Sequence, residues 1–358
     1  MLASDDPHTP RSHGGLPHAE LGALGIAATG VVDFSASCNP YGPCDAVVEA
    51  IRAAPIDRYP DPTAGAARAA LAASLGTTAD RIALGNGAVE LLWTLASLLV
   101  RAGTRVAIVE PTFCELRIAA EHAGGRIHEW RARPDDGFAI DLVAFGRLIA
   151  ARGARVAYLC APGTPTGTAV PARDVYALAD HHPDTTFVLD QSFLSLSERF
   201  TDQDVAPPGN VACVRSLTKD HAIPGVRVGY LVAAPALIAR VERGRPAWTT
   251  SAAAQAAAIA ACAAGGFVAD SRTRLLSERR AFADQLAQLG TAPVPSTTGF
   301  LAVRTGDAAG LRQRLLTGHR ILVRDCSSFG LPDHVRLATR PAAERDRLIA
   351  ALHRELAR

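Results

Sequence analysis

Residues 211–230 read Val-Ala-Cys-Val-Arg-Ser-Leu-Thr-Lys-Asp-His-Ala-Ile-Pro-Gly-Val-Arg-Val-Gly-Tyr, and they decide the fold. Val211 to Val214 is an apolar, β-branched run that reads as a buried strand. Ser216 and Lys219 follow at its C-terminal end, and a Pro224-Gly225 turn brings Arg227 back to the same place. Lys219 is the one lysine in 358 residues, against 36 arginines. A guanidinium serves for charge and anion recognition but stays protonated, so it cannot act as an amine nucleophile. Position 219 is therefore the site that needs an amine, or else a surface lysine in an arginine-rich chain.

Short apolar runs recur on both sides of this stretch. Val106–Val109, Val156–Cys160 and Thr186–Leu189 are strand-like, and helical stretches such as Leu91–Val100 and Arg173–His181 separate them. Such alternation predicts a mostly parallel sheet covered on both faces, with ligands at the C-terminal ends of the strands. Candidate residues cluster at those ends. Asp190 ends the run Thr186–Leu189, where a carboxylate needs a partner or else caps the next segment. Phe113 follows Val106–Val109 and reads as core or as a ring platform. Gly85-Asn86-Gly87-Ala88 opens the helix at Leu91, and free N–H groups at a helix start form a ready phosphate site. A hydroxyl, an amine and a guanidinium beside such a site suit a phosphate-bearing aldehyde cofactor.

The pattern Ser216-x-x-Lys219 followed by Gly225-x-Arg227-x-Gly229-Tyr230 resembles the cofactor-lysine segment of fold type I pyridoxal 5'-phosphate (PLP) enzymes. With Arg215-Ser216-Leu217-Thr218-Lys219 and Ala222-Ile223-Pro224-Gly225, it is most similar to the L-threonine-O-3-phosphate decarboxylases of cobalamin biosynthesis, relatives of the histidinol-phosphate aminotransferases. The resemblance implies an α/β, aspartate aminotransferase-like fold with a mostly parallel central sheet and a smaller α+β domain. The expected division is an N-terminal arm over 1–45 that forms part of the small domain, a large PLP-binding domain over 46–245 and a small C-terminal domain over 246–358. It also implies PLP as cofactor, with Lys219 on its aldehyde, Asp190 at its ring nitrogen, Phe113 on its ring, Thr164 at its ring oxygen, and Gly87, Ala88, Ser216 and Arg227 around its phosphate. Tyr59 would reach across a homodimer interface to the partner's cofactor phosphate.

For the substrate, the resemblance implies an anionic amino acid. Arg336 would hold its carboxylate, and Arg324, Arg340 and His13 its phosphate. Asn39 is a substrate contact or simply a turn cap, and His13-Gly14-Gly15 is a closing arm or a flexible linker. The first activity implied is PLP-dependent decarboxylation of a phosphorylated amino acid, most like L-threonine O-3-phosphate to (R)-1-amino-2-propanol phosphate. Transamination of the histidinol-phosphate type, a repurposed PLP enzyme of a biosynthetic cluster and a non-catalytic PLP protein are the alternatives. The chain departs from the family at one place in particular. Gly163-Thr164-Pro165-Thr166-Gly167 stands for Asn-Asn-Pro-Thr-Gly, and Gln191 and Phe193 replace the usual Glu and Tyr after the ring aspartate.

Composition fits a small-molecule enzyme. A net charge of +2 supplies no basic field for nucleic acid or an anionic membrane. The polar start of the chain and the lack of a long apolar run predict a cytoplasmic protein. Seven scattered cysteines with no C-x-x-C pair predict reduced thiols and no metal site.

Overall fold

The computed structural model describes residues 13–204 and 206–356; residues 1–12 of the expected arm lie outside the described residues. In chain order the first strands are β1 (Val32–Asp33), β2 (Ile82–Gly85), β3 (Arg105–Glu110), β4 (Arg126–Arg131), β5 (Val156–Cys160), β6 (Thr186–Asp190), β7 (Val211–Ser216) and β8 (Gly229–Val232). Seven of these form one sheet in the order β2-β8-β7-β6-β5-β3-β4. Strands β3 to β7 pair in parallel, and β8 runs antiparallel to both of its neighbours. Their apolar residues alternate between two cores. Leu159, Leu189 and Cys213 face the helices Asp45–Ala53, Gly65–Ser74, Leu142–Arg152 and Ala172–Asp180. Tyr158, Val188 and Val214 face Gly87–Leu99, Glu115–His122 and Pro235–Gly244. Burial on both faces is why these strands read as continuous hydrophobic runs. Being parallel, β5, β6 and β7 end on one edge, and that edge carries Cys160, Asp190 and Ser216.

The smaller unit is built from β9 (Phe300–Arg304), β10 (Ile321–Leu322), β11 (Arg324–Asp325) and β12 (His334–Ala338). Strands β11-β12-β9 form an antiparallel sheet, and β10 pairs in parallel with β1. The run Ile321–Asp325 is thus split at Val323 between two sheets. Phe34, just after β1, is fully buried with Phe282, Leu301 and Leu337, so the N-terminal segment completes this core. The expected boundary at 245/246 moves. Helix Ala252–Ala263 buries Ala254, Ala257, Ala258 and Ala261 in the core of the large unit, against helices Asp45–Ala53 and Gly65–Ser74. Its small side chains allow that close approach, and helix Gly265–Gln288 then leads into the small unit.

Among the described residues no single helix is long and apolar enough to cross a membrane. None of the seven cysteines forms a disulfide. Truncating Phe282 removes the largest shared side chain between the N-terminal segment and the small unit. Phe282→Ala is expected to lower stability by about 3–5 kcal/mol, read from the urea midpoint at unchanged slope.

Candidate active site

The edge that gathers the strand ends opens into a cavity of about 520 Å³. Its lining includes ten of the expected site residues: His13, Ala88, Phe113, Thr164, Asp190, Ser216, Lys219, Arg227, Arg324 and Arg336. Lys219 sits on the four-residue helix Leu217–Asp220, directly after β7. Its Nζ lies 4.4 Å from the centre of the Phe193 ring. The turn is pinned from behind by Asn39, whose backbone N–H donates to the Lys219 carbonyl at 2.8 Å and whose Nδ2 donates to the Asp220 carbonyl at 2.9 Å. Asn39 is buried and lies outside the cavity lining, so the structure gives it the task of holding the lysine rather than meeting a ligand.

Asp190 is 2% exposed at the end of β6. One carboxylate oxygen accepts the Ser192 N–H at 2.9 Å and the other the Tyr158 hydroxyl at 3.3 Å, with no cation among these donors. A buried carboxylate held only by neutral donors favours a positively charged partner in the cavity. Burial and the Asp190 charge in turn push the Tyr158 phenol well up, which keeps it a donor.

A second cluster lies where helix Gly87–Leu99 begins. Ser216 and Thr218 share a hydroxyl hydrogen bond of 2.8 Å, and both face the cavity with Ala88. Arg227 joins them from a left-handed backbone conformation (φ 60°), braced by its own bond to the Pro224 carbonyl at 3.0 Å. A Cβ on Gly87 would occupy the position of the Arg227 guanidinium, and one on Gly229 would press on the Ala88 amide at 2.6 Å. Glycine at both points lets the helix start, the guanidinium and β8 close on one spot. Amide N–H groups, two hydroxyls and a guanidinium there form an anion cradle. The sequence motif points to Ser216 and Arg227 but passes over Thr218, although it stands one residue before the lysine.

The opposite wall carries two arginines that are direct cross-strand partners, Arg324 on β11 and Arg336 on β12. Like charges placed so are unfavourable without an anion to share. Arg336 is 6% exposed and donates to the Thr164 hydroxyl at 2.6 Å and to the Ser35 carbonyl, both neutral, while its Nε has no partner. Burial pulls its guanidinium down to about 10, and that of Arg324 is lowered for the same reason. Arg324 donates to the Asp325 carbonyl and the Ser328 hydroxyl, at 2.8 and 2.7 Å. Above them lies the arm. His13 Nε2 is 2.9 Å from the Glu115 carboxylate, and the Gly15 N–H donates to the Ser35 hydroxyl at 2.8 Å.

Four expected residues are not in the lining: Gly87, which backs the anion cradle, Asn39, Arg340 and Tyr59. Arg340 is drawn to Glu344, one helical turn on, at 2.7 Å, because it lies past the end of β12. Tyr59 is 79% exposed and stacks on Trp248, with ring centres 4.7 Å apart. The lining also holds His18, Asp33, Ser37, Cys38 and Phe329, which sequence reasoning missed. Ser37 and Cys38 immediately precede Asn39, so the neighbours of that candidate were the signal.

The amine, the buried carboxylate and the anion cradle fit the parts of PLP, and a cavity of this size takes it together with a small substrate. Fold and site define an α/β protein whose one lysine shares a cavity with a buried carboxylate and an anion cradle. The chain belongs to the aminotransferase class I and II family, whose model matches residues 29–352. It is 34% identical over 329 residues, 90% of either chain, to a histidinol-phosphate aminotransferase of Symbiobacterium thermophilum. It is 33% identical over 356 residues, 96% of either chain, to a threonine-phosphate decarboxylase of Salmonella typhimurium. The crystal structure of histidinol-phosphate aminotransferase from Sinorhizobium meliloti in complex with pyridoxal-5'-phosphate superposes with a TM-score of 0.87 at 28% identity, covering 100% of this chain and 99% of that one.

Because a side chain at position 87 displaces Arg227, Gly87→Ala is expected to weaken binding of a phosphate-bearing ligand by at least about tenfold, roughly one lost charge-assisted contact. Calorimetric titration with pyridoxal 5'-phosphate checks this, and an unchanged affinity would remove Arg227 from the cradle.

Proposed function

We propose that this protein is a PLP-dependent aminotransferase acting on a small anionic amino acid or phosphorylated amine. The observation that carries the proposal is the meeting of Lys219 and Asp190 in one cavity, across from Arg336 and Arg324. PLP, when bound, supplies an electron-withdrawing ring that stabilises negative charge left at the substrate carbon. In this reading the helix start at Ala88, with Ser216, Thr218 and Arg227, holds its phosphate, and Asp190 keeps its ring nitrogen protonated. Thr164 has a hydroxyl proton left to donate, since its oxygen accepts from Arg336. Phe113 and Phe193 present apolar rings to the cavity.

Arg336 would hold the substrate carboxylate in place, and the Lys219 amine would take the proton from Cα and return it to the neighbouring carbon, leaving the carboxylate attached. This is transamination, and it has more support among the relatives than the decarboxylation expected first. Decarboxylation remains the second reading for one reason: the arm residues His13, Gly14 and Gly15 line the same cavity as Arg324 and would hold a phosphorylated substrate so that its carboxylate, in place of the Cα proton, is the group released. We further propose a homodimer, supported by the exposed Tyr59 and Trp248 pair lying away from the chain's own cavity.

A single turnover separates the two reactions. Mixing the PLP-loaded protein with a phosphorylated amino acid is expected to convert the cofactor to its amine form and release a keto acid; carbon dioxide with the cofactor unchanged would establish the second reading. Arg336→Ala is expected to lower kcat/KM by about 2–4 kcal/mol in transition-state terms, the cost of removing a charged partner from a dry site. Wild-type turnover by that variant would refute its carboxylate role.

A further inference from the structure

Next to the lysine in the chain stands a group that the mechanism above leaves unused. Asp220 is 5% exposed, and its Oδ1 has no hydrogen-bond partner. An orphaned buried carboxylate oxygen requires an explanation. The groups facing it come from every element packed around it. Lys219 lies on its own turn, Arg215 on β7, Tyr230 on β8, Cys38 on the segment after β1 and Arg272 on helix Gly265–Gln288, and the Ser195 hydroxyl bonds to it. No ion pair joins Asp220 to these cations within 4 Å among the described residues, so its charge acts on them through space. Arg272 is itself occupied, donating to the Ser195 carbonyl at 3.1 Å and lying 3.4 Å from the centre of the Phe200 ring. Asn39 fixes the carbonyls of both Lys219 and Asp220, which holds the amine and the carboxyl at a set separation.

We infer that Asp220 is a positioning residue for Lys219: a buried carboxyl behind the reactive amine whose change of ionisation resets the charge that the amine experiences. The inference rests on Lys219 being the reactive amine of the proposed function. Burial pushes the Asp220 carboxyl up to about 7, against the opposing pull of Ser195, Lys219, Arg215 and Arg272. Below that pH the group is a neutral acid, and the amine and the cations Arg215 and Arg272 lose its opposing charge. Above it, the carboxylate offsets them. The same proton links to stability. The folded chain holds it while the unfolded chain has already lost it, so stability falls as pH rises from the ordinary carboxyl range toward about 7 and is level beyond.

Because Lys219 is the one lysine, reductive methylation with carbon-13 formaldehyde labels a single side chain. The N-terminal amine gives a second signal, identified because it persists in Lys219→Arg. The full chain is titrated free of cofactor by NMR. The Lys219 methyl resonance is expected to step near pH 7, and Asp220→Asn, which is isosteric and uncharged, is expected to lose that step and the fall in melting temperature between pH 5 and 7. A second variant, Arg272→Met, removes a facing cation and is expected to move the step to higher pH, which serves if Asp220→Asn does not fold. A wild-type resonance with no step, or a step retained in Asp220→Asn or unmoved in Arg272→Met, overturns the inference. Since no cofactor is present, failure of the protein to take up PLP would sink the proposed function without touching this result.

Discussion

A parallel sheet ends its strands on one edge, and that constraint places every reactive group of this protein. Residues inside β5, β6 and β7 are mostly apolar, because helices cover both faces, and Arg215 is the buried exception. At the ends of the same strands stand Asp190 and Ser216, with Lys219 a turn beyond. Core and site are therefore consecutive in sequence. The hydrophobic burial that stabilises the sheet also fixes the carboxylate and the amine toward a shared hollow. The antiparallel strand β8 adds Arg227, and its glycine at 229 lets the start of helix Gly87–Leu99 come close enough to complete the anion cradle.

The opposing wall uses the reverse strategy, putting charge where it is unfavourable. Arg324 and Arg336 face each other across two strands and are both buried, and Arg336 is held by neutral acceptors. That arrangement costs stability in the empty cleft and is offset by an anion. The departures from the family pattern fall around this wall. Thr164, which stands for an asparagine, is tied to Arg336, so one hydroxyl joins the substrate side of the cavity to the cofactor side. Gln191 is tied to the buried Arg215 at 2.9 Å, and Phe193 offers the lysine a ring face instead of a hydroxyl. Each replacement has a partner in the structure.

Much of the fold was legible because buried strands and their helices leave strong periodic signals. Strand β4 was not, since Arg126, His128, Glu129 and Arg131 at the sheet edge are polar and only partly covered. The Ala-dense helix at Ala252–Ala263 carried no signal for which unit it joins, because alanine packs anywhere and only its contacts decide. In the site, residues on strand ends and in glycine turns were readable. Arg340 looked equivalent to Arg336 in sequence, yet it lies beyond the end of β12, where a glutamate one turn along is nearer than the cavity. Asn39 read as a substrate contact or a turn cap; its side-chain oxygen accepts the Tyr41 N–H, as a cap does, and its amide donates to the lysine turn. Spacing shows which residues approach a site; only the hydrogen bonds show which are free to act there.

The central claim is that this chain keeps a single ε-amino group to bind an aldehyde. Borohydride reduction of the protein after incubation with pyridoxal 5'-phosphate, followed by mass analysis of its peptides, tests it most directly. The account predicts one stable adduct per chain, on the peptide containing Lys219. Reduction that labels the N-terminal amine alone, or leaves the Lys219 peptide unmodified, would contradict it.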